Sequence, residues 1–196
     1  VCANTLIALD TNRQSALTSD PELKQKLIDI RDEYYRTSSK AKKEKLQTNY
    51  LKLTYKNSLF DDKETQQLKS YKPFDVSSSS EFYDPELMHG VEAFDIVIGN
   101  PPYISALVAS KTIKKEIREY YKNKYISAQG TYDIYLLFFE RGFSLLKNSG
   151  ALVYITPTKY LSANYACTFR EKVGLDKLVK VTDFSKVRVF ENAGVT

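Results

Sequence analysis

The tetrapeptide Asn100-Pro101-Pro102-Tyr103 carries the residue types best suited to chemistry in this chain. It follows residues 94–99 (FDIVIG), an apolar β-branched run that predicts a buried parallel strand. Because proline cannot donate a hydrogen bond to a sheet, two successive prolines end this strand abruptly. The tetrapeptide is therefore expected just beyond the carboxyl end of a strand, where open α/β sheets bind ligands.

The side chains of Asn100 and Tyr103 fit methylation of a planar exocyclic amine, such as the 6-amino group of adenine. Asn100 supplies a carbonyl acceptor, the prolines leave nearby backbone carbonyls unpaired, and Tyr103 offers a flat ring. The lone pair of such an amine is delocalised into its ring. Two acceptors that bind the amine hydrogens would favour a pyramidal nitrogen with its lone pair aimed at a methyl donor. The alternative is a structural Pro-Pro turn in which Tyr103 only packs.

The elements that position this turn follow it along the chain. The sequence predicts a helix over residues 131–147 that is stopped by Asn-Ser-Gly, and a buried strand over residues 151–155. A second helix is predicted over about residues 163–173 and a further strand over residues 178–184. Helices that alternate with strands in this way predict an α/β fold with a parallel sheet.

The chain before residue 94 divides into a strand, two helices and a loop. Residues 1–9 are apolar and predict a strand. A helical hairpin is predicted at about residues 20–57, because Asp20-Pro21 is a helix start signal and apolar residues recur at helical spacing in both halves. Residues from about 72 to 90 include four consecutive serines and predict a loop.

Two segments concentrate basic residues. The second helix of the hairpin carries six lysines between residues 40 and 56, and residues 110–124, which follow the tetrapeptide, carry six Lys or Arg. Such segments can bind DNA phosphates. The alternative for both is a solvated helix face.

Composition limits the possible classes of protein. The chain has 196 residues with a net charge of +5, which is compatible with binding to nucleic acid. His89 is the only histidine, and Cys2 and Cys167 form no disulfide or metal-site pattern, so no metal site is predicted. No signal peptide or membrane-spanning run occurs, and a cytoplasmic protein without membrane contact is expected.

The residues around the tetrapeptide, FDIVIGNPPYI, resemble the catalytic motif of S-adenosylmethionine-dependent amino-methyltransferases. Within that superfamily the chain most resembles the gamma-class DNA adenine methyltransferase domain of type IIG (type IIS) restriction–modification enzymes. Residues 130–135 (GTYDIY), 139–142 (FERG) and 155–157 (ITP) carry this closer resemblance. Glutamine methyltransferases share the tetrapeptide but usually place a Glu-Pro pair shortly after it, and no such pair occurs there.

The resemblance implies a Rossmann-like class I S-adenosylmethionine-dependent methyltransferase fold, with a partial three-layer sheet and an inserted helical hairpin. Residues 1–196 would form a partial methyltransferase domain, because the family's glycine-rich cofactor loop is not found in the chain. In the family's strand order, the strand at residue 1 does not pair with the strand at residue 94. The expected partners are the rest of a parent enzyme, namely the cofactor-loop segment and the target-recognition and endonuclease domains. The isolated chain is expected to be inactive.

The resemblance also implies roles for individual residues. Catalysis is implied for all four residues of the tetrapeptide. Phe190 would form, with Tyr103, the two walls that stack a flipped adenine taken out of double-stranded DNA. Asn4 and Thr5 would lie near the adenine of S-adenosylmethionine, although Asn4 also fits a turn cap at a strand end.

Two other functions remain open at the level of sequence. One is methylation of ribosomal RNA or of a protein glutamine by an enzyme of the same superfamily. The other is a non-catalytic module used for DNA binding or for interaction with another subunit.

Overall fold

The computed structural model describes residues 1–10, 21–56, 63–184, 186–187 and 189. The chain divides into two units, Val1–Ala93 and Phe94–Thr196. Both contain helices and a small parallel sheet, so the class is mixed α/β. None of the described helices is long and apolar enough to span a bilayer.

A helical hairpin lies at the centre of the first unit. Its helices, α1 (Pro21–Arg36) and α2 (Lys40–Lys56), occupy the range in which the sequence predicts two helices. Glu22 in the first turn and Arg36 in the last turn of α1 complement the partial charges at the helix ends. The predicted N-cap, Asp20, lies outside the described residues.

The apolar faces of the hairpin are buried in the core of the first unit. Leu27 of α1 is fully buried and Tyr50 of α2 is only 2% exposed. Both belong to one hydrophobic cluster with residues from Leu68 to Met88. Lysines of α2, such as Lys45, are exposed on the opposite side. The sequence pattern reveals the apolar stripe but not the partner that covers it.

The predicted strand over residues 1–9 is much shorter in the structure. β1 (Cys2–Ala3) pairs in parallel with β2 (Ser79–Ser80). The chain then turns, because the Ile7 N–H donates to the carbonyl oxygen of Asn4 at 3.2 Å. In the chain, α3 (Lys63–Ser70) lies between the hairpin and β2; the sequence analysis did not predict this helix.

The predicted loop at residues 72–90 is wrong in part, because it contains β2 and the helix α4 (Pro85–His89). The Asp84 side chain caps α4 by accepting a hydrogen bond from the Leu87 N–H at 2.7 Å, and Pro85 occupies the first helical position. Gly90 ends the helix in the left-handed region, with φ of 72°. An Asp-Pro start signal also predicted α1; here it begins a helix of only five residues.

In the second unit two parallel strands are joined through helices. β3 (Phe94–Gly99) pairs with β4 (Leu146–Tyr154), and Ile98 lies opposite Val153. The connection contains α5 (Ala106–Thr112), α6 (Lys115–Lys124) and α7 (Ile134–Ser144). This β-helix-β arrangement matches the predicted parallel pairing. β3 pairs with β4 and β1 with β2, so β1 and β3 are not neighbours in one sheet.

The boundary between α7 and β4 differs from the prediction. The helix ends at Ser144 and the strand already begins at Leu146, so residues 148–150 lie within the strand instead of stopping a helix. The register shifts by a bulge, since Phe94 and Ile96 lie opposite Leu146 and Ala151. The extra residues of β4 in this bulge include residues 148–150, which the sequence pattern assigned to the end of a helix.

One face of the β3–β4 pair is exposed, so the prediction of buried strands is wrong for the described chain. Helix α7 packs on one face, where a Cβ at Gly142 would come within 2.7 Å of both Leu152 and the Tyr154 hydroxyl. On the other face Ile98 is 76% exposed and Val153 55% exposed. A continuous apolar run indicates that a strand is suited to burial on both faces, but it cannot show which elements supply the cover.

The end of the described chain is less regular than predicted. Helical turns of changing type run from Asn164 to Lys177, where the sequence predicts one helix. The predicted strand at residues 178–184 is wrong, because this segment is irregular and exposed, with Val179 98% exposed. Its β-branched and aromatic residues favour a strand, but a strand also needs a paired neighbour, and none of the described residues pairs with it.

Candidate active site

The tetrapeptide lies directly beyond the carboxyl end of β3, as the sequence predicts. Asn100 is exposed, Pro101 is buried and Tyr103 is partly buried. The prolines prevent further ladder pairing, so the chain leaves the sheet with Asn100 at its edge.

Ile155, the residue after β4, holds both ends of the tetrapeptide. Its N–H donates to the carbonyl oxygen of Gly99 at 3.2 Å. Its own carbonyl oxygen accepts a hydrogen bond from the Tyr103 hydroxyl at 3.1 Å. The turn is thus fixed across the ends of two neighbouring strands, and the Tyr103 ring is tethered through its polar tip.

A third hydrogen bond fixes the residue after the tetrapeptide. The carbonyl oxygen of Ile104 accepts from the N–H of Ile134, the first residue of α7, at 2.9 Å. This N–H is one of the donors that a helix start leaves without an intrahelical partner. The exit of the turn is therefore attached to the helix that covers the sheet.

At least two acceptors of the turn remain available. Within the described part of the chain, no hydrogen bond is made by the side chain of Asn100 or accepted by the carbonyl oxygen of Pro101. An amide oxygen and a backbone carbonyl can each accept one N–H of a primary amine. Burial raises the pKa of Tyr103 above its usual value, so its hydroxyl stays protonated and keeps donating to Ile155.

Helix α7 is supported, at its start and in its second half, by contacts that the sequence analysis did not predict. Asp133 accepts a hydrogen bond from the Tyr165 hydroxyl at 2.6 Å, and that hydroxyl lies 3.3 Å from the hydroxyl of Tyr135. The Glu140 carboxylate accepts the N–H groups of residues 126 and 127, at 2.9 and 2.6 Å. No local pattern marks Tyr165, because its partner Asp133 is 32 positions away.

The positions of the remaining predicted site residues relative to the tetrapeptide stay predictions. Asn4 and Thr5 belong to the first unit, whereas the tetrapeptide belongs to the second, and their proximity remains a prediction. The side-chain oxygen of Asn4 accepts the Leu6 N–H at 3.2 Å, which is the turn cap weighed above. Phe190 lies outside the described residues. Among the described residues, no cluster of three or more His, Cys, Asp or Glu could hold a metal ion.

Comparison with known proteins assigns the chain to a family. Residues 4–190 match the family described as Eco57I restriction-modification methylase. The chain belongs to this family. Membership confirms the resemblance to restriction–modification methyltransferases, and the match covers both units as well as the tetrapeptide.

The relatives of this chain include a type II restriction enzyme and methyltransferase and two type II methyltransferases. The chain is 34% identical over 151 residues to the type II restriction enzyme and methyltransferase RM.Eco57I of Escherichia coli, which covers 75% of the chain. It is 37% identical over 73 residues, 36% of the chain, to the type II methyltransferase M.TthHB8I of Thermus thermophilus. A third relative, the type II methyltransferase M.BstVI of Geobacillus stearothermophilus, is 30% identical over 101 residues, half of the chain. The matched regions span only 13% to 17% of the length of these relatives.

Proposed function

We propose that this chain provides the part of a restriction–modification methyltransferase that binds the target base, and that the enzyme methylates the exocyclic amine of adenine in DNA. The observation that carries the proposal is the pair of unused acceptors, the Asn100 side chain and the Pro101 carbonyl, at the carboxyl end of β3. The names of the relatives support DNA modification as the setting.

The proposed chemistry follows from these two acceptors. The adenine amine donates one hydrogen to the Asn100 oxygen and the other to the Pro101 carbonyl. Both bonds strengthen as the nitrogen becomes pyramidal and gains positive charge, so they stabilise the transition state more than the ground state. The exposed position of Asn100 leaves room for a base to approach.

Stacking positions the base for this reaction. The Tyr103 ring, held by its hydroxyl on Ile155, offers one aromatic face to a base rotated out of the duplex. Phe190 is proposed as the opposite wall. Stacking between two rings offsets part of the few kcal/mol that unstacking costs.

S-adenosylmethionine is the proposed methyl donor, and it supplies an electrophilic methyl group when bound. Of the two residues proposed to contact it, Asn4 keeps its amide N–H donors and a second lone pair on its side-chain oxygen, which accepts the Leu6 N–H. The proposed fold is the Rossmann-like methyltransferase fold, with residues 1–196 as part of one domain and the hairpin as an insertion. Further proposals are that the chain alone is inactive and that other parts of the enzyme complete the cofactor site.

A methylation assay tests the proposed function. The complete gene product is incubated with labelled S-adenosylmethionine in three separate reactions, which contain duplex DNA, ribosomes or release factors. We expect label in DNA only, and recovery of N6-methyladenine after digestion to nucleosides. Label in cytosine, ribosomal RNA or a release factor would refute the adenine assignment, and absence of transfer to every substrate would favour the non-catalytic alternative.

Two substitutions at Tyr103 separate its ring from its hydroxyl. Tyr103→Ala removes the stacking face, which is worth about 1–3 kcal/mol per base, and should lower kcat/KM for DNA by roughly 5- to 150-fold. Tyr103→Phe removes only the hydrogen bond to Ile155, worth about 0.5–1.5 kcal/mol, and should lower it by roughly 2- to 10-fold. Equal losses in the two variants, measured by steady-state kinetics, would contradict a stacking role.

A further inference from the structure

The charge of the chain is divided unequally between the two units. Val1–Ala93 contains 14 Lys and Arg against 15 Asp and Glu, a net charge of −1. Phe94–Thr196 contains 15 Lys and Arg against 9 Asp and Glu, a net charge of +6. The unit that carries the tetrapeptide therefore holds the whole positive excess of the chain.

Much of this excess lies in the two helices that follow the tetrapeptide. The basic surface is defined here as the exposed lysines of residues 111–124, namely Lys111, Lys114, Lys115, Lys122 and Lys124. The same segment also contains Arg118, which is partly buried, and only two acidic residues, Glu116 and Glu119.

Most of the basic surface is not neutralised within the protein. Lys122 lies 3.4 Å from Glu119. The other four lysines form no ion pair with any residue that the structure describes. Four unpaired cations over fourteen positions repel one another, and this cost is offset when an external anion lies against them.

The basic surface lies on two short helices that follow the turn directly in the chain. Helix α5 begins three residues after Tyr103 and ends at Thr112. At 1.5 Å per residue it extends for about 10 Å, and α6 begins after Ile113 and Lys114. Three residues span at most about 11 Å and the five helical residues from Ala106 to Lys111 span about 7.5 Å, so the first lysine lies within roughly 20 Å of Tyr103.

We propose that the basic surface binds the phosphates of the DNA strand next to the target base. This inference rests on the proposed function, since it takes DNA as the substrate of the tetrapeptide. Several unpaired ammonium groups close together in the chain suit a charged backbone, because lysine acts as a point charge without the planar geometry that selects a particular carboxylate. The contacts are independent of sequence and position the duplex while the tetrapeptide binds the base.

The salt dependence of DNA binding tests this surface. In the complete gene product, Lys111, Lys114 and Lys115 are changed together to Gln, and the affinity for duplex DNA is measured at several salt concentrations. Each phosphate contact contributes about 0.9 to the slope of log affinity against log salt. We expect the magnitude of the slope to fall by about 2 to 3, with a weakening of binding at low salt that is similar for unrelated duplex sequences.

A matched triple variant in the first unit provides the control. Lys40, Lys45 and Lys52 of α2 are exposed and form no ion pair among the described residues, so their joint change to Gln removes the same charge. This variant should keep the wild-type slope and the wild-type methylation rate. Melting temperatures check that both triple variants are folded.

Each outcome separates the inference from the proposed function. An unchanged slope in the Lys111, Lys114 and Lys115 variant would overturn the inference, as would an equal fall in both triple variants. If the slope falls only in the Lys111, Lys114 and Lys115 variant while the wild-type protein binds DNA without methylating it, that result would support the surface and refute the proposed function. Tighter binding of the wild type to an acidic protein than to DNA would assign the surface to a different partner and overturn the inference.

Discussion

Replacing Asn100 with alanine is expected to lower the rate of methyl transfer by about 10²–10³-fold, the loss typical of one polar group that stabilises transition-state charge. Asn100 supplies one of the two unused acceptors to which the adenine amine is proposed to donate. Alanine removes that acceptor and leaves the backbone turn and the Tyr103 tether in place. Single-turnover kinetics on saturating DNA measure the rate of the chemical step, and equilibrium binding should change little.

Two further variants show whether the acceptor itself is responsible. Asn100→Asp keeps an acceptor oxygen at the same position and should retain more activity than Asn100→Ala. Asn148→Ala removes an exposed asparagine from β4 in the same unit and should leave the rate unchanged. Retention of adenine methylation by Asn100→Ala would refute the proposed mechanism. A loss of DNA binding equal to the loss of rate would instead assign Asn100 to ground-state recognition.

The position of the tetrapeptide could be predicted because its cause is local. Two prolines must end a strand wherever the strand lies, and β3 ends one residue before Asn100. The parallel pairing of β3 with β4 also followed from the alternation of strands and helices. Helices α1 and α2 were predictable for the same kind of reason, since each carries its own apolar periodicity.

The contacts that hold the turn could not be predicted, because they join residues far apart in the chain. The Tyr103 hydroxyl reaches Ile155 across 52 positions, and Tyr165 reaches Asp133 across 32. No spacing rule within one helix or strand connects such pairs. Sequence similarity marked residues 130–135 and 155–157 as family features, and the structure gives a physical reason, since both segments bind the turn or its exit.

Errors in the predicted elements have a common origin. The sequence shows that residues 178–184 favour a strand and that β3 is apolar on both faces, but pairing and coverage depend on other elements. Ile98 is therefore exposed in a strand whose composition suits burial. Conversely, the short helix α4 has clear caps at Asp84 and Gly90 but too few residues for periodicity to reveal it.

Replacing Phe82 with alanine is expected to destabilise the first unit by about 3–5 kcal/mol, the usual cost of removing a buried aromatic side chain. Phe82 is fully buried in the cluster that joins α1 and α2 to the segment around β2. Its ring lies edge-on to Tyr71, with centroids 6.3 Å apart and an interplanar angle of 79°. The loss is a large share of the 5–15 kcal/mol that stabilises a typical domain. Native-state hydrogen exchange, read by mass spectrometry on peptides from α1 and α2, measures the change in opening free energy.

The choice of local exchange over a single melting curve follows from the division into two units, because two-state unfolding is not expected of such a chain. Phe184→Ala is the matched control: this ring is 49% exposed, so its removal should change stability by no more than about 0.5 kcal/mol. If Phe82→Ala accelerates exchange only in the first unit, each unit has its own core and opens by itself. If it accelerates exchange equally in α7 and β4, the two units unfold together and the division of the chain carries no energetic meaning. A change below about 1 kcal/mol in α1 and α2 would contradict the placement of Phe82 in the core.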